Sequence, residues 1–185
     1  DMLIPPYAGL ASHGAFIMIP IALWFYARKR PDQPFLWIID RIAVTVALAG
    51  FFIRSGNLMN SEIVGKPTDV PWAFTFMQNF EYEKIPRHPA QLYEALSCLV
   101  LFIILYSIWN KYKSKTPQGL LSGIFFIWIF GLRFFYEFLK ENQVAFEDGM
   151  AINMGQILSI PLVLIGIWIL LNLKKLQPKG DKETN

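Results

Sequence analysis

The sequence predicts an all-α, polytopic membrane helical bundle with five transmembrane helices in this chain. Three observations carry that expectation. Hydrophobic residues make up 54% and aromatics 16% of the 185 residues, above the apolar share of about 45–50% usual for soluble domains. The excess is gathered into long runs separated by charged connectors. The cations fall in alternate connectors, as they do when successive helices cross a bilayer in opposite directions.

Taken in order, the first apolar run covers residues 14–27 and is short for a span unless residues 7–12 join it. The second covers 36–53, with Asp40 and Arg41 near its start, where snorkelling toward the headgroups is sufficient explanation for both. The third, 93–109, is followed by Lys111, Lys113 and Lys115. The fourth, 119–139, carries Arg133 and Glu137, and the fifth, 155–173, ends in Lys174 and Lys175. Each approaches the roughly 20 residues that cross about 30 Å of hydrocarbon. In lipid the backbone must satisfy its own hydrogen bonds, so these runs are helices rather than strands.

Arg28, Lys29 and Arg30, the three lysines after the third run, and Lys174, Lys175, Lys179 and Lys182 hold more than half of the 17 basic residues. The positive-inside rule puts these connectors and the C-terminus in the cytoplasm. The opening segment, the connector at 54–91 and the acidic stretch 141–150 then face the other side. Residues 1–176 read as one integral-membrane domain and 177–185 as a polar tail. The 54–91 connector is too long for a turn, and with Trp72, Phe74, Phe76 and Phe80 it is unlike a disordered segment. It is expected to be an ordered extramembrane cap close to the lipid interface. The lone Cys98 makes no internal disulfide, and the opening Asp1-Met2-Leu3 lacks a signal-peptide pattern.

The chemistry concentrates where the second apolar run stops. From Arg54 to Gly65 the chain reads Arg54-Ser-Gly-Asn57-Leu-Met-Asn60-Ser-Glu62-Ile-Val-Gly65. Arginine offers a planar fork of donors suited to phosphate or carboxylate. Asn57 and Asn60 add neutral donors and acceptors, and Glu62 is placed to balance Arg54 or take a proton. A polar loop capping a membrane helix is the plain structural reading of the same stretch. Arg133 and Glu137 share a helix face at i, i+4 spacing. A charge near the membrane centre costs about 2.5–3.5 kcal/mol on insertion scales, so it reads either as a structural ion pair or as a phosphate-binding arginine held by its own glutamate. His13 lies at the mouth of the first run. His88 lies in Pro86-Arg87-His88-Pro89, just ahead of Tyr93 and Glu94. For each histidine, an interfacial or capping role stands beside a catalytic one. There is no zinc-ligand spacing, no phosphate-cradling glycine loop and no nucleophile elbow. The charge-derived topology brings His13, Arg54, Asn57, Glu62, Arg133 and Glu137 to one half of one bundle, where two arginines and a histidine suit an anionic phospholipid.

These residues resemble a known family. Arg54-x-x-Asn57-x-x-Asn60-x-Glu62-x-x-Gly65, Ser12-His13-Gly14, Arg87-His88-Pro89-x-Gln91-Leu92-Tyr93-Glu94, Gly131-x-Arg133-x-x-x-Glu137 and Met154-Gly155-Gln156 are similar to the motifs of prolipoprotein diacylglyceryl transferases. The resemblance implies about seven membrane helices of about 20 residues each in the full-length protein, with the N-terminal ones not in this chain. It implies transfer of the diacylglyceryl group from phosphatidylglycerol to the lipobox cysteine of a prolipoprotein at the bilayer of a bacterial inner membrane. No cofactor, metal or nucleic acid takes part. Arg54, Arg133 and His13 would be the catalytic residues. Asn57, Asn60, Glu62, Gly65 and Glu137 would bind substrate with the arginines, and Arg87, His88 and Tyr93 would support them. Two positions depart from the family pattern: Gly14-Ala15 where Gly-Gly is frequent, and Ile129 where a tyrosine is frequent. A small transporter or channel subunit and a non-catalytic lipid-binding scaffold are the other readings that fit the residues.

Overall fold

A computed structural model of the chain describes residues 12–140 and 152–177. Among them are six α-helices: α1 Ser12–Lys29, α2 Phe35–Met59, α3 Ala90–Tyr112, α4 Leu120–Tyr136, α5 Met154–Leu171 and the single turn α6 Leu173–Leu176. The all-helical expectation holds, with no strand among the described residues. Three spans are long and apolar enough to cross a membrane, Phe35–Met59, Ala90–Lys115 and Leu120–Leu139. Gly155–Leu171 is a shorter apolar helix. The acidic stretch 141–150 and the tail from 178 lie outside the described residues.

The helix ends follow from local chemistry. Pro34 precedes α2 and Pro89 precedes α3, where a missing N–H costs nothing because the first-turn donors are free anyway. Asn153 and Gln156 form a reciprocal capping box at the start of α5. The cap of α4 comes from another helix. Asp40, on α2, accepts the backbone N–H groups of Gly119 at 2.7 Å and Ser122 at 2.8 Å. Its carboxylate is 2% exposed, so snorkelling does not explain it: it satisfies orphan donors at the positive end of the α4 dipole. Arg41 does stay at the surface, its guanidinium 3.2 Å from the centre of the Trp37 ring.

The core lies where α2, α3 and α4 meet, built on Ala43, Ala47, Leu101, Leu105 and Leu121. The two alanines let α2 approach its neighbours closely, the usual device where helices associate in lipid. Closer still is the α4–α5 contact, where a Cβ on Gly166 would stand 2.9 Å from the carbonyl of Gly123. Large apolar side chains on α1, α2 and α5 point outward, among them Phe25, Phe52 and Trp168, as a lipid-facing surface requires.

One boundary differs from the expectation. The second apolar run stops at Ile53, but α2 continues to Met59. Arg54 and Asn57 therefore sit on the last turns of a helix, not in a connector. Nothing in 54–59 breaks a helix: the single Gly56 costs about 1 kcal/mol against alanine, and Ser55 Oγ returns to the Phe51 carbonyl at 2.8 Å. The chain then turns sharply through Ser61 and Ile63, both at positive φ (56° and 55°), which is unusual for any side chain and strained for a β-branched one. The connector that follows is ordered. It is tied down by antiparallel pairings of Gly65 with Lys140, Pro67 with Arg87 and Phe74 with Arg87.

Candidate functional site

Each of three helices sends one polar group to the same end of the bundle, with a less polar stripe behind it. On α2, Arg54 stands one turn beyond Gly50 and two beyond Val46. On α4, Arg133 stands one turn beyond Ile129 and two beyond Phe125, and on α3 Glu94 precedes Cys98 by one turn. Residues four apart share a helix face, so the stripes enclose a cavity of about 400 Å³. Arg54, Asn57, Glu94 and Arg133 line its polar part. Ser97, Cys98 and Tyr136 lie between, and Val46, Ile53, Phe125, Ile129 and Leu132 form the apolar wall. At about 1.5 Å rise per residue, Arg54 and Val46 are separated by about 12 Å along α2. Farther along, the alanine–leucine core fills the space between the three helices.

The charges form an alternating chain. Arg54 Nε lies 2.8 Å from Glu94 Oε2, a charge contact whose N–H direction misses a well-aligned hydrogen bond. Glu94 Oε1 accepts from Lys140 Nζ at 2.6 Å. Lys140 also stands 3.6 Å from Glu137 Oε1, and Glu137 Oε1 lies 3.4 Å from Arg133 Nε. Asn153 Nδ2 adds a hydrogen bond to Glu137 Oε2 at 3.2 Å. Three cations thus share two carboxylates, leaving one positive charge uncompensated. Glu94, Glu137 and Lys140 are almost fully covered, whereas the side chains of Arg54 and Arg133 are 26% and 44% exposed. Each arginine makes its closest carboxylate contact through Nε, and both line the cavity.

Glu62 does not balance Arg54. Its carboxylate accepts from Asn57 Nδ2 at 2.6 Å and Asn60 Nδ2 at 3.3 Å. A carboxylate only accepts, so the Asn57 amide is held with its nitrogen toward Glu62. The other end of that amide, Asn57 Oδ1, is buried without a partner. The backbone carbonyl of Glu62 accepts from Gln91 Nε2, which fixes the tight turn onto the first turn of α3. Gly65 has no room for a side chain: a Cβ there would run into the backbone of His88. Its carbonyl accepts from Arg87 Nη1 at 3.2 Å, and Lys66 N–H donates to Leu139 O at 2.8 Å, so this strip of connector holds the segment that carries Lys140.

Arg87, His88 and Tyr93 brace the connector and do not line the cavity. Arg87 is buried, 5% exposed. The Tyr93 hydroxyl accepts from Trp72 Nε1 at 2.8 Å and lies 3.3 Å from His88 Nδ1. Indole N–H can only donate, so the tyrosine proton is free for His88. His13 is in the first turn of α1, and its side chain lies outside the described residues. Two members of the charge chain were given no role from the sequence: Glu94, quoted only as part of the Arg87–Glu94 motif, and Lys140. Lys140 carried a signal, standing three residues from Glu137 and seven from Arg133. The Arg54–Glu94 pairing carried none, because its partners are forty residues apart on different helices. No cluster of three metal-ligand side chains occurs among the described residues.

The family model described as prolipoprotein diacylglyceryl transferase matches residues 2–172. A protein of Bacteroides fragilis (strain ATCC 25285) named phosphatidylglycerol–prolipoprotein diacylglyceryl transferase is 49% identical over 164 residues, covering 89% of this chain and 58% of that relative. Proteins of the same name from Tolumonas auensis and Chlamydia pneumoniae are 45% and 38% identical, over 88% and 89% of the chain and 62% and 59% of their own lengths. The chain therefore spans about three-fifths of the length of these curated relatives.

Proposed function

The chain belongs to the prolipoprotein diacylglyceryl transferase family, and from that premise we propose that its cavity takes the phosphodiester of phosphatidylglycerol and serves transfer of the diacylglyceryl group to the lipobox cysteine thiol of a prolipoprotein. One observation carries this for the chain's own residues: Arg54 and Arg133, from two different helices, line one cavity that also has an apolar wall. That pattern suits an anionic headgroup whose hydrocarbon continues into the bundle side. A non-catalytic lipid scaffold would need the arginines but not the buried carboxylates beside them. A transport path is disfavoured by the alanine–leucine core that fills the three-helix interior.

In this reading the thiol sulfur attacks the lipid carbon that bears the phosphate ester. A C–S bond forms as the C–O bond breaks, the electron pair leaves on the phosphate oxygen as glycerol phosphate, and the thiol proton passes to a base. Charge developing on the leaving phosphate is what two guanidinium forks in a water-poor site stabilise best. Arg54 exchanges its contact with Glu94 for the phosphate, and Lys140 keeps the buried Glu94 neutralised meanwhile. In this reading the otherwise unpartnered Oδ1 of Asn57, a residue of the cavity lining, accepts from a hydroxyl of the glycerol headgroup. His13 is the base in this reading: a histidine with an ordinary pKa near 6.5 accepts a proton at neutral pH, and Glu62 is committed to Asn57 and Asn60. Arg87, His88 and Tyr93 support the connector, and Gly65 the close approach beneath it.

The proposed setting is a bacterial inner membrane, with the cavity toward the extracytoplasmic side and the C-terminus in the cytoplasm. Full-length protein incubated with labelled phosphatidylglycerol and a lipobox peptide is expected to give thioether product; no product would refute the activity. Orientation has its own test. A cysteine replacing Glu83 is expected to react with a membrane-impermeant thiol reagent in sealed cells, and one replacing Lys113 is not. The reverse pattern would invert the topology.

A further inference from the structure

The connector carries an apolar tip that the cavity does not use. Asn79 builds it. Its Oδ1 accepts the backbone N–H groups of Glu81 at 2.9 Å and Tyr82 at 3.1 Å, an asparagine-based turn. Its Nδ2 donates to the Ser61 carbonyl at 3.0 Å. Ser61 follows the last residue of α2 by two positions, so the turn is anchored at the level of that helix end. Lys84 closes it from the other side, donating to the Phe76 carbonyl at 3.3 Å with its ammonium 5.2 Å from the Phe80 ring.

What this turn holds out is Phe80, 93% exposed, with Met77 three residues earlier at 68%. Four side-chain hydrogen bonds fix a backbone whose product is a bare aromatic ring, which is unfavourable in water by the ordinary cost of apolar surface. The surroundings identify a different solvent. Met59 on the last turn of α2, and Phe52 and Ile53 on the turns before it, are as exposed as Met77, and they belong to a helix apolar enough to cross a membrane. The tip is therefore fixed to the end of a lipid-facing surface. A phenylalanine beside a lysine is also the composition of an interfacial anchor: the ring sits among the upper acyl carbons while the ammonium stays with the headgroups.

We propose that the Asn79 turn is a membrane anchor, with Phe80 and Met77 inserted into the leaflet that the cavity end of the bundle faces, so that the connector is held down onto the lipid surface. This does not depend on which reaction the cavity serves. A photoreactive benzoyl-phenylalanine is placed at position 80 of the full-length protein, reconstituted in phosphatidylglycerol–phosphatidylcholine vesicles, and adducts are identified by mass. Phospholipid adducts are expected at 80 severalfold above those from the same probe at Glu83, and Met77 gives an independent second reading. Lipid adducts at 80 and 77 no more abundant than at 83 would overturn the proposal, as would adducts mainly to a second copy of the chain or to another protein.

Discussion

Two buried carboxylates, at opposite ends of the bundle, are held in opposite ways. Asp40 is capped onto α4 by two backbone N–H groups, donors that have no other position to occupy. Glu94 is held by two side-chain cations, Arg54 and Lys140. Backbone donors fix an acid in one state. Side-chain cations can be lent to a second anion without unfolding anything, provided one of them remains. The contrast separates a buried charge fixed by backbone from one held by side chains, although burial is 2% exposure for Asp40 and 6% for Glu94 and distinguishes neither.

The largest expected effect removes the cation that remains. Lys140→Met leaves Glu94 and Glu137 short of a partner in a covered site, which costs about 3–5 kcal/mol for a broken buried pair. A marked fall in thermal stability in detergent, together with loss of transfer, is the expected outcome; an unchanged melting temperature would mean that the charge chain is not a coupled unit. Next come the two arginines of the cavity lining. Arg54→Ala and Arg133→Ala are each expected to lower the transfer rate by at least about 10²–10³, the range for losing one electrostatic donor. Lysine at either position restores charge without the fork and should recover little. Near-normal rates for both lysine variants would show that charge alone suffices.

His13→Gln tests the proton acceptor, with an expected deficit of about 10² near neutral pH, the lower end for general bases. The deficit should shrink as pH rises toward the thiol's own pKa of about 8.5, where thiolate forms without help. A deficit constant across that window would make His13 a positioning residue. The smallest effect on rate belongs to Asp40→Asn. It replaces one accepted N–H bond with a donor facing a donor, costing about 1–3 kcal/mol of stability, while the rate per folded molecule stays close to that of the unaltered protein. A rate loss comparable to that of the arginine variants would dissolve the distinction between the two acids.

The bundle was legible because hydrocarbon leaves the backbone little choice: long apolar runs become helices, and their cations mark the connectors. The reach of α2 past Ile53 was not legible from hydropathy, because polar residues without a breaker extend a helix as readily as apolar ones. Arg54, Arg133 and Asn57, which line one cavity, were singled out through residue type and motif. The partner of Arg54 was misassigned, since Glu62 is near in sequence but the helix ends between them and the turn at Ser61–Ile63 carries its carboxylate to Asn57 and Asn60. Lys140 drew no reading from the sequence, because it is the pairing with Gly65, seventy-five residues earlier, that ties it to the connector. Asp40 read as a surface charge because its donors, Gly119 and Ser122, are 79 and 82 residues away.

The Asp40 clasp also has a mechanical consequence. It pins α4 at its first turn, and Arg133 lies fourteen residues along, about 20 Å away at about 1.5 Å per residue. α4 is thus a lever with its fulcrum at the Asp40 end and its tip at the cavity end. A tilt of about 3° moves that tip by about 1 Å, a displacement of the size that costs about 10²-fold in rate when reacting groups are misaligned. A force on the shaft of α4 is carried through that arm to Arg133 in the cavity lining.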